Sequence, residues 1–414
     1  MFDLIIRNAY LRKQDGIYDI GINKGKIFDI SRKINDKGEI EIDANYNFVS
    51  PPFVDTHTHM DKSFTAIGER FPKYNDSSYI IDVPVSREKN ISTGLEYFKN
   101  VTEEEIEKHI LKHIYNQIIN GTLFARTHVD IDNIAQIKSV TAALNVRNKV
   151  KNLFDFQIVA FAESGLLRDK ESQKYVDMAL KLGADLVGDL DPATVENNIE
   201  QSLDLIFEFA KKYDKDIDIH IMEPGTLGIY TIERLAKKII DNNYYDRVTC
   251  SHAWSLGNAP VEWINNIIPI LKKSKIKFVT CYTTTPYNFP LKMLIENEIP
   301  VACATDNVRD FWLIMGSGNP LQGLLIESQR LNMTSNNELD ILWDTFTIQG
   351  AKILGITDIY GIEIGKNADL IIFDEPSPQW SIINQANKVY VIKNGKIIVE
   401  NNNLLNEYKS LFNI

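Results

Sequence analysis

Eight apolar runs, each followed by a stretch of helical periodicity, constrain this chain more than any other feature. They fall at 49–57, 123–130, 156–163, 185–189, 217–220, 248–252, 277–281 and 301–306. Short apolar runs alternating with helices read as a repeated strand–helix unit, because strands covered by helices on both faces lose the alternation of a half-exposed sheet. Eight such units predict a (β/α)8 TIM barrel, in which functional groups gather at the carboxyl ends of the strands. The helices are marked locally. Thr102-Glu103-Glu104-Glu105 is a capping box ahead of a helix over 106–119, Pro260 opens another, and Gly355 closes a long one predicted over 336–354. Residues 64–97, rich in charge and in Pro, Gly and Ser, read as a long first loop over the strand ends, a candidate lid.

The two ends of the chain have another texture. Short alternating strands at 3–8, 18–23, 27–30 and 39–43 are echoed at 368–374, 388–393 and 396–400, the last two joined by the turn signal Asn394-Gly395. Both ends therefore predict one small β-sandwich, built from 1–48 and 358–414, around a barrel of 49–357. With 414 residues and 44% hydrophobic content there is ample material for two such bodies.

A net charge of -11 with no long Lys/Arg run argues against nucleic acid or an anionic membrane as partner, since both demand basic patches. The chain opens directly in an amphipathic segment and carries no spanning stretch, so a cytoplasmic protein is expected. Cys250, Cys281 and Cys303 sit inside apolar runs without CxxC spacing and read as buried hydrophobes. Barrel enzymes of this size often associate, so a homo-oligomer is an open outcome.

What stands at the end of each run carries the chemistry. The first ends in His57 and His59, the second in His128, the third in Glu163, the fifth in His220 with Glu223 just beyond, the sixth in His252, and the eighth in Asp306 and Asn307. Of 7 histidines only His109 and His113 lie elsewhere, four apart on a predicted helix, where they read as a solvated face. Unrelated core histidines are the alternative for the other five, but each would have to land at a strand end by chance. Neutral imidazoles and a carboxylate converging from several strands suit Zn²⁺ or Fe²⁺ with a position left for water. Such an ion lowers the pKa of water from ~15.7 toward ~7. A nearby carboxylate must then carry protons to a leaving nitrogen. Glu223 is placed for that, a plain loop glutamate being the other reading.

The set FVDTHTHMDKS, RTHVD, VAFAESG, GADLVGD, HIMEPG, VTCSHA and ATDN, in this order, resembles the amidohydrolase superfamily and within it the cytosine deaminase branch. The resemblance covers nearly the whole chain, down to IGKNADLIIFD in the second part of the β-domain. It implies one divalent metal ion held by His57, His59, His220 and Asp306. It also implies Asp306 as acceptor of a proton from water, Glu223 as shuttle to the substrate nitrogen and His252 as a polarising group, with His128 near the site. Binuclear members carry a bridging lysine after the fourth strand. Here 185–189 holds none, which favours a single metal.

Two departures bear on substrate. Where cytosine deaminases usually have Gln, this chain has Glu163, which if ionised only accepts hydrogen bonds. Where they usually have a second Asp, it has Asn307, which offers a donor. Such exchanges reverse part of the hydrogen-bond code at a cost of about 1–3 kcal/mol per mismatched buried group. Cytosine is therefore disfavoured, and a small nitrogen heterocycle presenting N–H donors, such as an aminotriazine-like ring, fits better. Phe311 and Trp312 offer an aromatic wall to a planar ring, ordinary packing being the equal alternative. The expected function is a hydrolytic deaminase acting on an exocyclic C–N bond. A likeness to the triazine-degrading N-alkylammelide amidohydrolases, a cyclic amide hydrolase, and an inactive binding barrel are the alternatives, the last disfavoured because every expected ligand is present.

Overall fold

The protein is described here by a computed structural model covering residues 1–66 and 87–412. Among the described residues, eight parallel strands (Phe53–Thr58, Thr122–Asp130, Asp155–Phe161, Leu186–Gly188, Asp216–His220, Val248–Ser251, Lys277–Cys281 and Val301–Ala304) form one sheet in sequence order. Its ends meet. Thr58 bridges Asp306, whose amide donates to the His57 carbonyl at 2.9 Å, and the sheet thereby closes into a barrel. The strands are buried almost throughout, which is why they read as unbroken apolar runs.

Three local departures from the sequence reading have physical causes. The run at 49–57 is two strands, not one. Pro51-Pro52 interrupts the ladder, so Phe48–Ser50 pairs with the terminal strands Phe2–Leu11 and Leu370–Phe373, and the barrel starts at Phe53. The helix expected over 336–354 divides into Asn336–Thr345 and Ile348–Leu354. At the break the Phe346 carbonyl accepts from the Val54 amide at 2.7 Å, while Thr345 and Thr347 turn their hydroxyls onto backbone carbonyls of the preceding turn. Gly350 lets the second piece lie against the first barrel strand, since a Cβ there would sit 2.8 Å from that of Val54. Finally, the loop expected over 64–97 ends in a helix, Arg87–Asn100, and most of its remainder lies outside the described residues.

The capping box at Thr102 forms as read, with Glu105 returning to the Thr102 amide, and Gly355 caps its helix at φ +72°. A second sheet, nine-stranded among the described residues, unites strands from both ends of the chain. An aromatic cluster joins it to the barrel: Trp343 lies 5.2 Å from Phe48, 5.1 Å from Phe53 and 5.5 Å from Phe373. Buried Lys393 adds an ionic tie, 3.0 Å from Asp369 and 2.7 Å from Asp155 of the third barrel strand.

Candidate metal centre and active site

The C-terminal ends of the strands bring His57, His59, His128, His220, His252 and Asp306 together, all buried. The His57 ring lies 4.1 Å from that of His128, 4.6 Å from His220, 4.9 Å from His252 and 5.3 Å from His59. Asp55, two residues before His57, accepts from the Thr305 amide at 3.0 Å and so fixes the first strand against the residue preceding Asp306.

A chain of hydrogen bonds decides which His57 nitrogen faces the centre. The Ser251 hydroxyl donates to Asp218 Oδ1 at 2.6 Å and accepts from His57 Nδ1 at 2.9 Å; Arg126 holds the other Asp218 oxygen at 2.8 Å. With its proton on Nδ1, His57 has its Nε2 lone pair on the side of Asp306 Oδ1, 3.6 Å away, and His59 Nε2 stands 3.4 Å from the same oxygen, so that the three converge. Burial, then mutual repulsion, pushes His57 and His220 well below the usual imidazole range, and His59 is lowered by burial and by Lys62. They are neutral and available as ligands. Burial lifts Asp306 to about 6 against the opposing bond from Thr284, whose hydroxyl Oδ2 accepts.

The donor set fits a divalent cation. His57, His59 and His220 each offer a ligand atom within 4.8 Å of the others, and His57 and Asp306 form a second such group with His252 and Cys281. His57 Nε2, both His220 nitrogens and Asp306 Oδ1 are buried without hydrogen-bond partners among the described residues. Orphaned atoms of this kind are costly unless something pairs with them. His252 and Asp306 also hold left-handed backbone conformations, φ +67° and +58°, which non-glycine residues adopt at some cost and which cluster at functional sites.

A cavity of about 370 Å³ opens beside this cluster. His59, His220, His252 and Asp306 line it, with Glu163, Asn307 and Trp312. His128 stands beside the cluster, its ring 4.1 Å from that of His57, and Glu223 lies farther back. His128 packs behind His57, 3.3 Å from Asp218 Oδ1, and is absent from the cavity wall. Glu223 is likewise absent: its Oε1 accepts from the amides of Ala193 at 2.6 Å and Thr194 at 3.1 Å, and its Oε2 from the Thr231 hydroxyl. It ties the loop after the fourth strand to the helix after the fifth. His113 is a correction of another kind. It is not solvated but buried, bonded to Ser63 Oγ at 2.9 Å and Thr58 Oγ1 at 3.2 Å, and those hydroxyls donate to the carbonyls of His59 and Asp306. All three cysteines are buried, as read.

The residue that sequence reasoning missed is Lys62. Its ammonium is 1% exposed and lies 2.9 and 3.0 Å from the two oxygens of Asp130 and 3.3 Å from Glu163 Oε2. Burial alone would lower its pKa, but Asp130, Glu163 and Asp61 outweigh that and hold it above the usual lysine range. Burial raises Asp61 and Asp130 against the opposing pull of the Lys62 charge. Its only signal was a lysine three residues past the His-x-His pair, inside the quoted MDKS. Lys62→Met should lower folding stability by about 3 kcal/mol, because it leaves buried carboxylates without their cation. Denaturant titration reads this, and an unchanged midpoint would show that the carboxyl groups simply take up protons instead.

A closed parallel barrel with imidazoles and a carboxylate converging at the carboxyl ends of its strands defines the class of hydrolytic barrel enzymes. Within that class the chain belongs to the amidohydrolase family, whose model matches residues 130–399, and it is a hydrolase of carbon–nitrogen bonds other than peptide bonds. N-isopropylammelide isopropyl amidohydrolase of Pseudomonas sp. strain ADP is 51% identical over 399 residues, 96% of this chain and 98% of that one. The structure is similar to 5-methylcytosine deaminase from Klebsiella pneumoniae liganded with 5-fluorocytosine, with TM-score 0.85 and 25% identity over 96% of this chain and 97% of that one. N-isopropylammelide isopropylaminohydrolase from Burkholderia multivorans has the same fold, with TM-score 0.89 over 98% and 100% of the two chains at 24% identity. No helix among the described residues is long and apolar enough to cross a membrane.

Proposed function

We propose that this enzyme hydrolyses the exocyclic C–N bond of an N-alkylated aminotriazinedione of the ammelide type, releasing an alkylamine and leaving a ring carbonyl. The observation that carries the reading is the 51% identity, across nearly the full length of both chains, to the Pseudomonas N-isopropylammelide amidohydrolase. The cavity is compatible with such a ring. Glu163 offers an acceptor for a ring N–H and Lys62 a donor for a ring carbonyl, while Trp254, Met222, Leu190 and Trp312 supply apolar wall for a planar ring and its alkyl group.

His57, His59, His220 and Asp306 would hold one divalent ion, Zn²⁺ or Fe²⁺. Bound there, the ion acts as a Lewis acid that makes water nucleophilic at neutral pH. The chain's own groups do the rest. Asp306 takes the proton from the attacking water and returns it to the leaving nitrogen as the C–O bond forms and the C–N bond breaks. His252 faces the reacting carbon from the neighbouring strand end and stabilises charge that develops on oxygen. Glu223 acts at one remove, by holding the loop at 191–194.

Incubating the purified enzyme with N-isopropylammelide should yield isopropylamine and cyanuric acid in equal amounts. Ammonia from cytosine with no amine from N-isopropylammelide would replace this reading with the simple deaminase. Glu163→Gln gives a finer check. It should raise the ratio of kcat/KM for cytosine to that for N-isopropylammelide by about tenfold, since Gln presents a donor as well as an acceptor. An unchanged ratio would remove Glu163 from the specificity pocket.

A further inference from the structure

The helix Arg87–Asn100 lies between the first barrel strand and the first barrel helix, in the region that the sequence reads as a loop over the strand ends, and it holds none of the residues that the strand-end pattern singles out. One face of it lies over the cavity. Asn90, Gly94 and Tyr97 are spaced i, i+4, i+7 and so stand in line on that face. Tyr97 fastens the helix: its hydroxyl donates to the Asp61 carbonyl at 3.1 Å, next to Lys62, and its ring lies 5.6 Å from Phe311. Gly94 allows close approach, since a Cβ there would sit 3.1 Å from the Phe311 ring and 4.0 Å from Glu163 Oε2. Asn90 is 8% exposed and is itself part of the cavity wall.

Its Oδ1 is buried without a hydrogen-bond partner among the described residues. A buried amide oxygen left unpaired costs free energy. Among the described residues none supplies that partner, and the cavity that Asn90 lines offers room for a ligand that would. We infer that Asn90 is a substrate-contacting specificity residue, whose carboxamide oxygen accepts a ring N–H of the bound heterocycle and whose helix forms the cover of the site. This rests on the N-alkylammelide reading for the identity of the ring. A triazinedione carries two ring N–H groups separated by a carbonyl, one for Glu163 and one for Asn90, where cytosine in its common form has a single ring N–H.

The test compares wild-type and Asn90→Leu holoenzymes, Leu keeping the branched shape and removing the acceptor. With metal content and melting temperature unchanged, KM for N-isopropylammelide should rise at least tenfold, and the Kd of cyanuric acid, read by calorimetry, should rise with it. Equal KM and Kd in the two proteins would overturn the role of Asn90 while leaving amine release from wild type, and with it the reading of the reaction, standing. If wild type releases no isopropylamine, that reading fails, and the cyanuric acid comparison alone decides Asn90. A Kd that moves tenfold upholds it, and an unchanged Kd or no binding by wild type sinks it.

Discussion

Asp306→Asn is expected to lower kcat by about 10⁴-fold, the upper end of what a proton-transferring group contributes, because the same carboxylate also completes the ligand set. Asn preserves the volume and can keep the Thr284 contact. It loses the charge on Oδ1, the atom that stands 3.4 Å from His59 Nε2 and 3.6 Å from His57 Nε2 with no hydrogen bond of its own. Metal content should fall in the same variant, since an amide oxygen is a weaker ligand than a carboxylate. Elemental analysis separates the two losses. A variant that retains full metal yet loses turnover isolates the proton transfer, and one that turns over within tenfold of wild type would refute both roles.

Most of this centre was legible because of one property of parallel barrels. Their strands are buried on both faces, so a polar residue at the end of an apolar run is conspicuous, and all such ends point to one side of the molecule. His57, His59, His220, His252 and Asp306 stand out on that basis without any alignment. What the pattern cannot give is side-chain direction. Glu223 follows His220 by three residues, close enough to suggest a shuttle, yet its oxygens turn to Ala193, Thr194 and Thr231. His128 stands two residues before the end of its strand, where His220 is the last of its own, and it points at Asp218 behind the cluster.

The remaining differences have separate physical causes. Lys62 becomes meaningful only beside Asp130 and Glu163, which are 68 and 101 residues away in sequence. For His113 a usable local signal existed. Ile106, Ile110, His113 and Gln117 follow the helical stripe that the structure buries, whereas His109 lies off it, half-buried. The 49–57 run and the 336–354 helix were each joined across a break. Pro51-Pro52 is a local signal of the first break, which leaves Phe48 and Phe53 on either side of it packed with Trp343 and Phe373, whereas the second, where Phe346 meets Val54, has no mark in local periodicity.

His252→Ala is expected to reduce kcat by ~10³-fold while leaving metal content near that of wild type, which distinguishes it from Asp306→Asn. His252 lines the cavity, 4.9 Å ring to ring from both His57 and His220, at the end of a strand whose hydrogen bonding continues through its own amide to Val279 at 2.8 Å. Its backbone is left-handed, φ +67°, and so is that of Ala253 after it, so the chain turns sharply where the strand ends. Glu223→Gln is the natural control. Gln keeps an oxygen for the Ala193 and Thr194 amides, so a loss within tenfold is expected if Glu223 only anchors the loop. Should Glu223→Gln lose ~10²–10⁴-fold instead, with His252→Ala nearly active, the proton would have to travel by Glu223 after a rearrangement of that loop, and the division of labour drawn here between the sixth and fifth strand ends would be reversed.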